Sequence, residues 1–91
     1  MPCQGLQNYV LTDHVRWQMQ RRSIGEAELM AVLEASEQCE EARPGRCVYQ
    51  SMVSTGESSR PYLLRVFVDL DRDPPEVVTV YRTSKVDKYW R

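Results

Sequence analysis

One stretch of this chain, residues 62–70, limits the folds open to it more than any other. Its side chains alternate: Tyr62, Leu64, Val66, Val68 and Leu70 fall on one side of an extended backbone, and Leu63, Arg65, Phe67 and Asp69 on the other. Asp71-Arg72-Asp73-Pro74-Pro75 then supplies turn-forming residues. Residues 76–83 alternate again, with Val78 and Val80 on one side and Val77, Thr79, Tyr81 and Thr83 on the other. Strands joined this closely pair antiparallel, because a parallel crossover needs about a dozen residues or more. The pattern predicts a β-hairpin that turns Leu64, Val66, Val68, Val78 and Val80 toward a core. Arg65, Phe67, Thr79, Tyr81 and Thr83 are left on an uncovered face.

Residues 46–52 are also rich in β-compatible types and add a third strand, separated from the hairpin by the polar loop 55–59. The first half of the chain reads as helical. After the apolar lead-in Tyr9-Val10-Leu11, Thr12 and Asp13 are both N-cap types, and Val15 and Met19 lie one turn apart on a short helix ending near Arg22. Ser23-Ile24-Gly25-Glu26 matches a capping box, which starts a second helix over 24–36 with Leu29, Met30, Val32 and Leu33 as its apolar stripe. Residues 37–44 are polar and acidic and end in Pro44-Gly45, a turn signal that stops the helix. The expected architecture is α+β, with two N-terminal helices packed on a three-stranded antiparallel sheet. At 91 residues without a composition break, positions 1–91 make one domain, with 1–8 flexible.

No apolar run approaches the roughly 18 residues of a membrane span, and residues 1–8 lack the basic and apolar regions of a secretory signal, so a cytoplasmic protein is expected. Cys3, Cys39 and Cys47 have no Cys-x-x-Cys spacing and are read as reduced thiols, with a Cys39–Cys47 bridge as the alternative. The net charge of −1 is unevenly spread, since residues 1–44 carry −3 and residues 45–91 carry +2. The sheet half is the basic half, and ten of the twelve basic residues are arginine, the side chain suited to bidentate phosphate or carboxylate contacts.

The chain has no metal-ligand cluster, phosphate-binding glycine loop or nucleophile elbow, so no metal or cofactor is expected. His14, the one histidine, sits in the first turn of the first helix as an acid/base candidate or as a plain surface residue. Tyr81 and Thr83, with Arg65 on the neighbouring strand, suit an RNA phosphate: arginine neutralises charge and tyrosine donates or stacks. The bland alternative is a solvated sheet face, where Thr, Tyr and Arg simply suit strands. Strand parity points Arg82 to the opposite side from Tyr81. Tyr89 and Trp90 read as packing anchors for the terminal segment.

Thr12-Asp13-His14 followed by Met19, Arg22 and Ile24, and the closing run Val78-Thr79-Val80-Tyr81-Arg82-Thr83-Ser84-Lys85 with Lys88-Tyr89-Trp90, resemble the family catalogued as domain of unknown function 4258. The likeness runs from about Tyr9 to Arg91 and implies membership of the RelE/ParE toxin-like superfamily, with a helical pair packed on an antiparallel sheet. That superfamily includes metal-independent ribonucleases, gyrase-poisoning binders and members of no known activity. The resemblance implies a toxin or ribonuclease acting on RNA or the ribosome, with an antitoxin-like protein as partner. His14 would be the acid/base group, Tyr81 and Thr83 would touch the phosphate or ribose, and Arg65, Arg82 and Lys85 would bind substrate. The rival is a non-enzymatic module that binds a protein through the same sheet face.

Overall fold

A computed structural model describes residues 5–53 and 61–90. The loop expected at 55–59 lies outside the described residues. Five strands form one mixed sheet in the order β1-β5-β4-β3-β2. They are β1 (Val10–Leu11), β2 (Gln38–Arg43), β3 (Arg46–Val53), β4 (Tyr62–Asp69) and β5 (Glu76–Thr83), accompanied by helices α1 (Asp13–Arg22), α2 (Glu26–Glu34) and α3 (Val86–Tyr89). The α+β class holds, but the sheet is wider than three antiparallel strands. β1 adds a parallel edge to β5, and β2 adds an antiparallel edge to β3.

Both extra strands escape a pattern-based reading for physical reasons. β1 is two residues long and has no period of its own to show. β2, Gln-Cys-Glu-Glu-Ala-Arg, is half exposed and carries charges where a buried strand would carry apolar side chains, which is how natural edge strands discourage further pairing. The Pro44-Gly45 signal therefore turns one strand into the next. Gly45 holds φ at 84°, a left-handed conformation that costs any residue with a Cβ, so the β2–β3 turn favours glycine, and a Cβ there would also push on the Asp71 carboxylate at 2.7 Å.

Thr12 caps α1 as expected, its side chain accepting from the Val15 N–H at 3.2 Å. Its hydroxyl also donates to the Val77 carbonyl at 2.9 Å, which ties the cap to β5. The second cap shifts by two residues. Ser23 takes a left-handed conformation, φ 53°, to end α1, and Gly25 becomes the N-cap of α2. Glu28 rather than Glu26 reaches back, accepting from the Gly25 N–H at 3.4 Å. Ahead of β1 the Leu6 N–H donates to the Leu33 carbonyl at 2.7 Å, and Leu6 packs against the core.

The core lies between the helices and one face of the sheet, with Val15, Leu29, Leu33, Leu64, Val66, Val68, Val77 and Val80 fully buried. Val77 takes the place expected for Val78. Phe67 pairs with Thr79 but Val68 pairs with Val77, so the register slips at Val78 and a bulge reverses the side-chain parity beyond it. Arg65, Phe67, Thr79, Tyr81 and Thr83 remain on the far face. That face is not open, since Val48, Gln50, Leu63 and Arg65 on its strands are all buried.

α1 also protects an edge. Beyond Val77, among the described residues, no strand pairs with the outer side of β5, and side chains meet its backbone instead. Gln18 accepts from the Val80 N–H at 3.0 Å, and Arg22 donates to the Val80 carbonyl at 2.8 Å. Cys47 is a free thiol, so the alternative Cys39–Cys47 bridge does not form.

At the far end of the sheet Arg46 grips Asp69 across β3 and β4 in a fork, Nε to Oδ1 at 2.6 Å and Nη2 to Oδ2 at 3.1 Å. The hydrogen bond from Arg46 holds the Asp69 carboxyl below the ordinary carboxylate value. A depressed folded pKa stabilises the fold above the unfolded value and is lost as pH falls through the lower, folded one. The melting temperature should therefore fall on acidification below about pH 4, and Asp69→Asn should flatten that limb while lowering stability at neutral pH. Melting curves across pH for the two proteins check this.

Candidate functional site

The sheet register brings four polar side chains into one row across the far face. Gln38 of β2 pairs with Gln50 of β3, Gln50 with Arg65 of β4, and Arg65 with Tyr81 of β5. Each residue hydrogen-bonds the next. The Gln50 amide donates to Gln38 Oε1 at 2.8 Å, Arg65 Nε donates to Gln50 Oε1 at 2.9 Å, and Arg65 Nη1 donates to the Tyr81 hydroxyl oxygen at 2.7 Å. The Gln50 amide also donates to the Tyr89 carbonyl at 3.2 Å, which brings α3 over the row. The Tyr89 ring then lies 4.1 Å from the Arg65 guanidinium carbon, with the Phe67 and Tyr81 rings at 5.3 and 5.8 Å.

Arg65 is only 8 % exposed. Among the described residues no carboxylate lies within ion-pair distance of it; the ion pairs there are Arg46–Asp69 and Arg82–Glu28. A buried charge is costly to hold without a counter-charge. Three aromatic faces and two neutral acceptors support this guanidinium in place of an anion.

The two tyrosines titrate in opposite directions. Burial pushes the Tyr81 phenol up, against the pull of the Arg65 hydrogen bond, and its bond with Tyr89 pushes it up further. That same bond is the main cause holding the Tyr89 phenol below its ordinary value, helped by Lys88 and Arg65. The row thus runs from Gln38 through Gln50 and Arg65 to Tyr81, with the lowered Tyr89 phenol beside it.

The candidates from the sequence divide around this row. Arg65 and Tyr81 form its centre. Thr83 shares the face but uses its hydroxyl to accept from the Lys85 N–H at 3.0 Å, shaping the turn into α3, and Lys85 is exposed in that turn. Arg82 lies on the helix side, as parity requires, donating to the Arg22 and Ser23 carbonyls at 2.7 and 2.6 Å and facing Glu28. His14 is exposed on α1, whose Val15 is part of the core on the opposite face of the sheet, and stacks on Trp17 with ring centroids 6.0 Å apart. The structure does not bring His14 to Tyr81.

Gln38, Gln50 and Tyr89 are the residues sequence reasoning missed. Gln50 had a signal, a carboxamide inside an otherwise β-forming run. Gln38 lay in an unrecognised strand, and Tyr89 was read only as an anchor. Among the described residues no group of three or more His, Cys, Asp or Glu side chains converges, and no helix is long and apolar enough to cross a membrane.

No curated protein and no solved structure matches the chain. A family model does match, over residues 11–82, a span that holds α1, α2 and the row from Gln38 to Tyr81. The chain belongs to the family described as Domain of unknown function (DUF4258).

Proposed function

We propose that this is a RelE/ParE-type domain that acts on RNA, taking a backbone phosphate at the far face of the sheet. The observation that carries the reading is Arg65: a guanidinium 8 % exposed, without a described carboxylate partner, beside an acidified phenol. A phosphate at the rim would supply the missing counter-charge, and Lys88, whose Nζ is 5.4 Å from the Tyr89 ring, adds a second cation.

Cleavage in this reading is attack of a ribose 2′-oxygen on the adjacent phosphorus with release of the 5′-oxygen. It leaves a 2′,3′-cyclic phosphate and a 5′-hydroxyl. Arg65 offsets the charge that grows on the non-bridging oxygens. Tyr89 gives its proton to the departing 5′-oxygen, and the proton lost from the 2′-hydroxyl passes to solvent. His14 and Arg82 have no part in this scheme. A non-enzymatic binding module is the second reading, favoured by the absence of a histidine from the row.

Induced expression in a bacterium, with total RNA and purified ribosomes examined, tests the choice. The parent chain should yield fragments ending in cyclic phosphate, Tyr89→Phe should slow their appearance by about 10²- to 10⁴-fold, and His14→Ala should leave it unchanged. RNA that stays intact with the parent chain removes the nuclease and leaves the binding module.

A further inference from the structure

Gln50 stands on β3 between Gln38 and Arg65 and is only 2 % exposed. Its Oε1 accepts from Arg65 Nε at 2.9 Å, while its Nε2 donates to Gln38 Oε1 at 2.8 Å and to the Tyr89 carbonyl at 3.2 Å. Both N–H groups of the carboxamide are therefore used. Chemistry fixes which way the amide points, because an arginine Nε only donates and a peptide carbonyl only accepts. Turned about, it would set N–H against N–H at Arg65 and oxygen against oxygen at Tyr89.

The position calls for a group that accepts on one side and donates on the other. A glutamate ionised beside the guanidinium has no proton to give the Tyr89 carbonyl, and an aliphatic side chain offers neither bond. Neutrality matters as well. A carboxylate at Arg65 Nε would supply from within the fold the counter-charge that an incoming anion would otherwise bring.

Both groups held by Gln50 belong to the phosphate site. With Gln50 on Nε and Tyr81 on Nη1, the plane of the Arg65 guanidinium is fixed, and among the described residues none takes Nη2. Nη2 is then the corner open to an oxygen from a ligand. The bond to the Tyr89 carbonyl acts on α3, a helix of four residues with no buried residue and no side-chain cap. So short a helix does not hold its place by itself, and Gln50 pins its last residue to the sheet.

We propose that Gln50 is the positioning residue of the far-face site, aiming Arg65 and seating Tyr89 above it through a single carboxamide. What the site binds rests on the phosphate reading above; the positioning is measured separately from it.

The test compares the full parent chain with Gln50→Leu and Gln50→Glu. Labelled arginine Nε and tyrosine Cζ are followed by NMR, and binding is measured with a short single-stranded RNA made uncleavable by 2′-O-methyl groups. In the parent the Arg65 Nε–H should be protected from exchange. Gln50→Leu should lose that protection and let the Tyr89 phenol, held below its ordinary value in the parent, rise back toward it. RNA affinity should fall by about tenfold or more in each variant, the worth of one charge-assisted bond. Gln50→Glu keeps the shape of the side chain and pairs with Arg65, so it should lose RNA affinity while keeping the melting temperature of the parent. That combination stays informative where Gln50→Leu does not fold. A glutamine that only filled space would do the opposite, lowering the melting temperature in both variants and leaving the affinity of the folded fraction alone, and that result overturns the proposal. So does an Arg65 Nε–H and a Tyr89 titration that Gln50→Leu leaves unmoved. A parent that ignores the RNA, while Gln50→Leu still frees both signals, defeats the phosphate reading and upholds the positioning role.

Discussion

Arg65→Met is expected to weaken binding of a short single-stranded RNA by roughly ten- to a hundredfold, the worth of a charge-assisted hydrogen bond. RNA cleavage should slow by about 10²- to 10³-fold, as for loss of a group stabilising transition-state charge. The accompanying change in stability should be small, because two effects oppose one another. Gln50 Oε1 and the Tyr81 oxygen lose their donor, at about 1 to 3 kcal/mol for each buried group left unmet. Against that, the fold no longer holds a buried guanidinium without a carboxylate partner, a penalty of several kcal/mol that methionine of similar shape avoids. RNA titrations at two salt concentrations, with thermal melts of both proteins, check the prediction. A variant that binds and cleaves like the parent sinks the phosphate site. One that loses most of its stability shows Arg65 to be a strut of the fold and removes the reason for inferring a missing anion.

Arg82→Ala should do the reverse, costing stability and sparing the site. Its guanidinium donates to the Arg22 and Ser23 carbonyls just where α1 ends, and a cation at a helix C-terminus adds a favourable interaction with the unpaired carbonyls there. The ion pair with Glu28, at 3.5 Å between half-exposed groups, contributes little. Loss of the two charge-assisted bonds should cost about 2 to 3 kcal/mol, which for a domain of this size lowers the melting temperature by roughly 10 to 20 °C. Arg82→Lys should recover only part, since an ammonium does not span two carbonyls as the planar fork does. RNA affinity of the folded fraction should stay within about twofold. A loss of affinity without loss of stability would return Arg82 to the binding surface.

Side-chain chemistry close along the chain was legible in advance: the cap at Thr12, the end of α1 at Arg22, the β4–β5 hairpin, and the opposite facing of Arg82 and Tyr81. Each depends on a period or a capping geometry spanning a few residues. What failed needed a partner from elsewhere. Ser23 looks like an N-cap until α1 claims it as its left-handed terminus, and Val78 looks like a core residue until the bulge against Phe67 and Val68 displaces it. The acid/base candidate His14 had the right chemistry and a place on the wrong side of the sheet. The hydrogen-bonded row it was expected to join is built around Arg65 and Tyr81, two of the residues named alongside it.

Alternation and turn chemistry alone determined that residues 62–83 form a hairpin with Arg65 and Tyr81 on its far face, because side-chain direction in a strand depends only on the local backbone. The row from Gln38 to Tyr89 was decided by tertiary structure. Its members come from four strands and a short helix, and their alignment depends on inter-strand register and on where the chain beyond β5 folds back, quantities that no local pattern encodes.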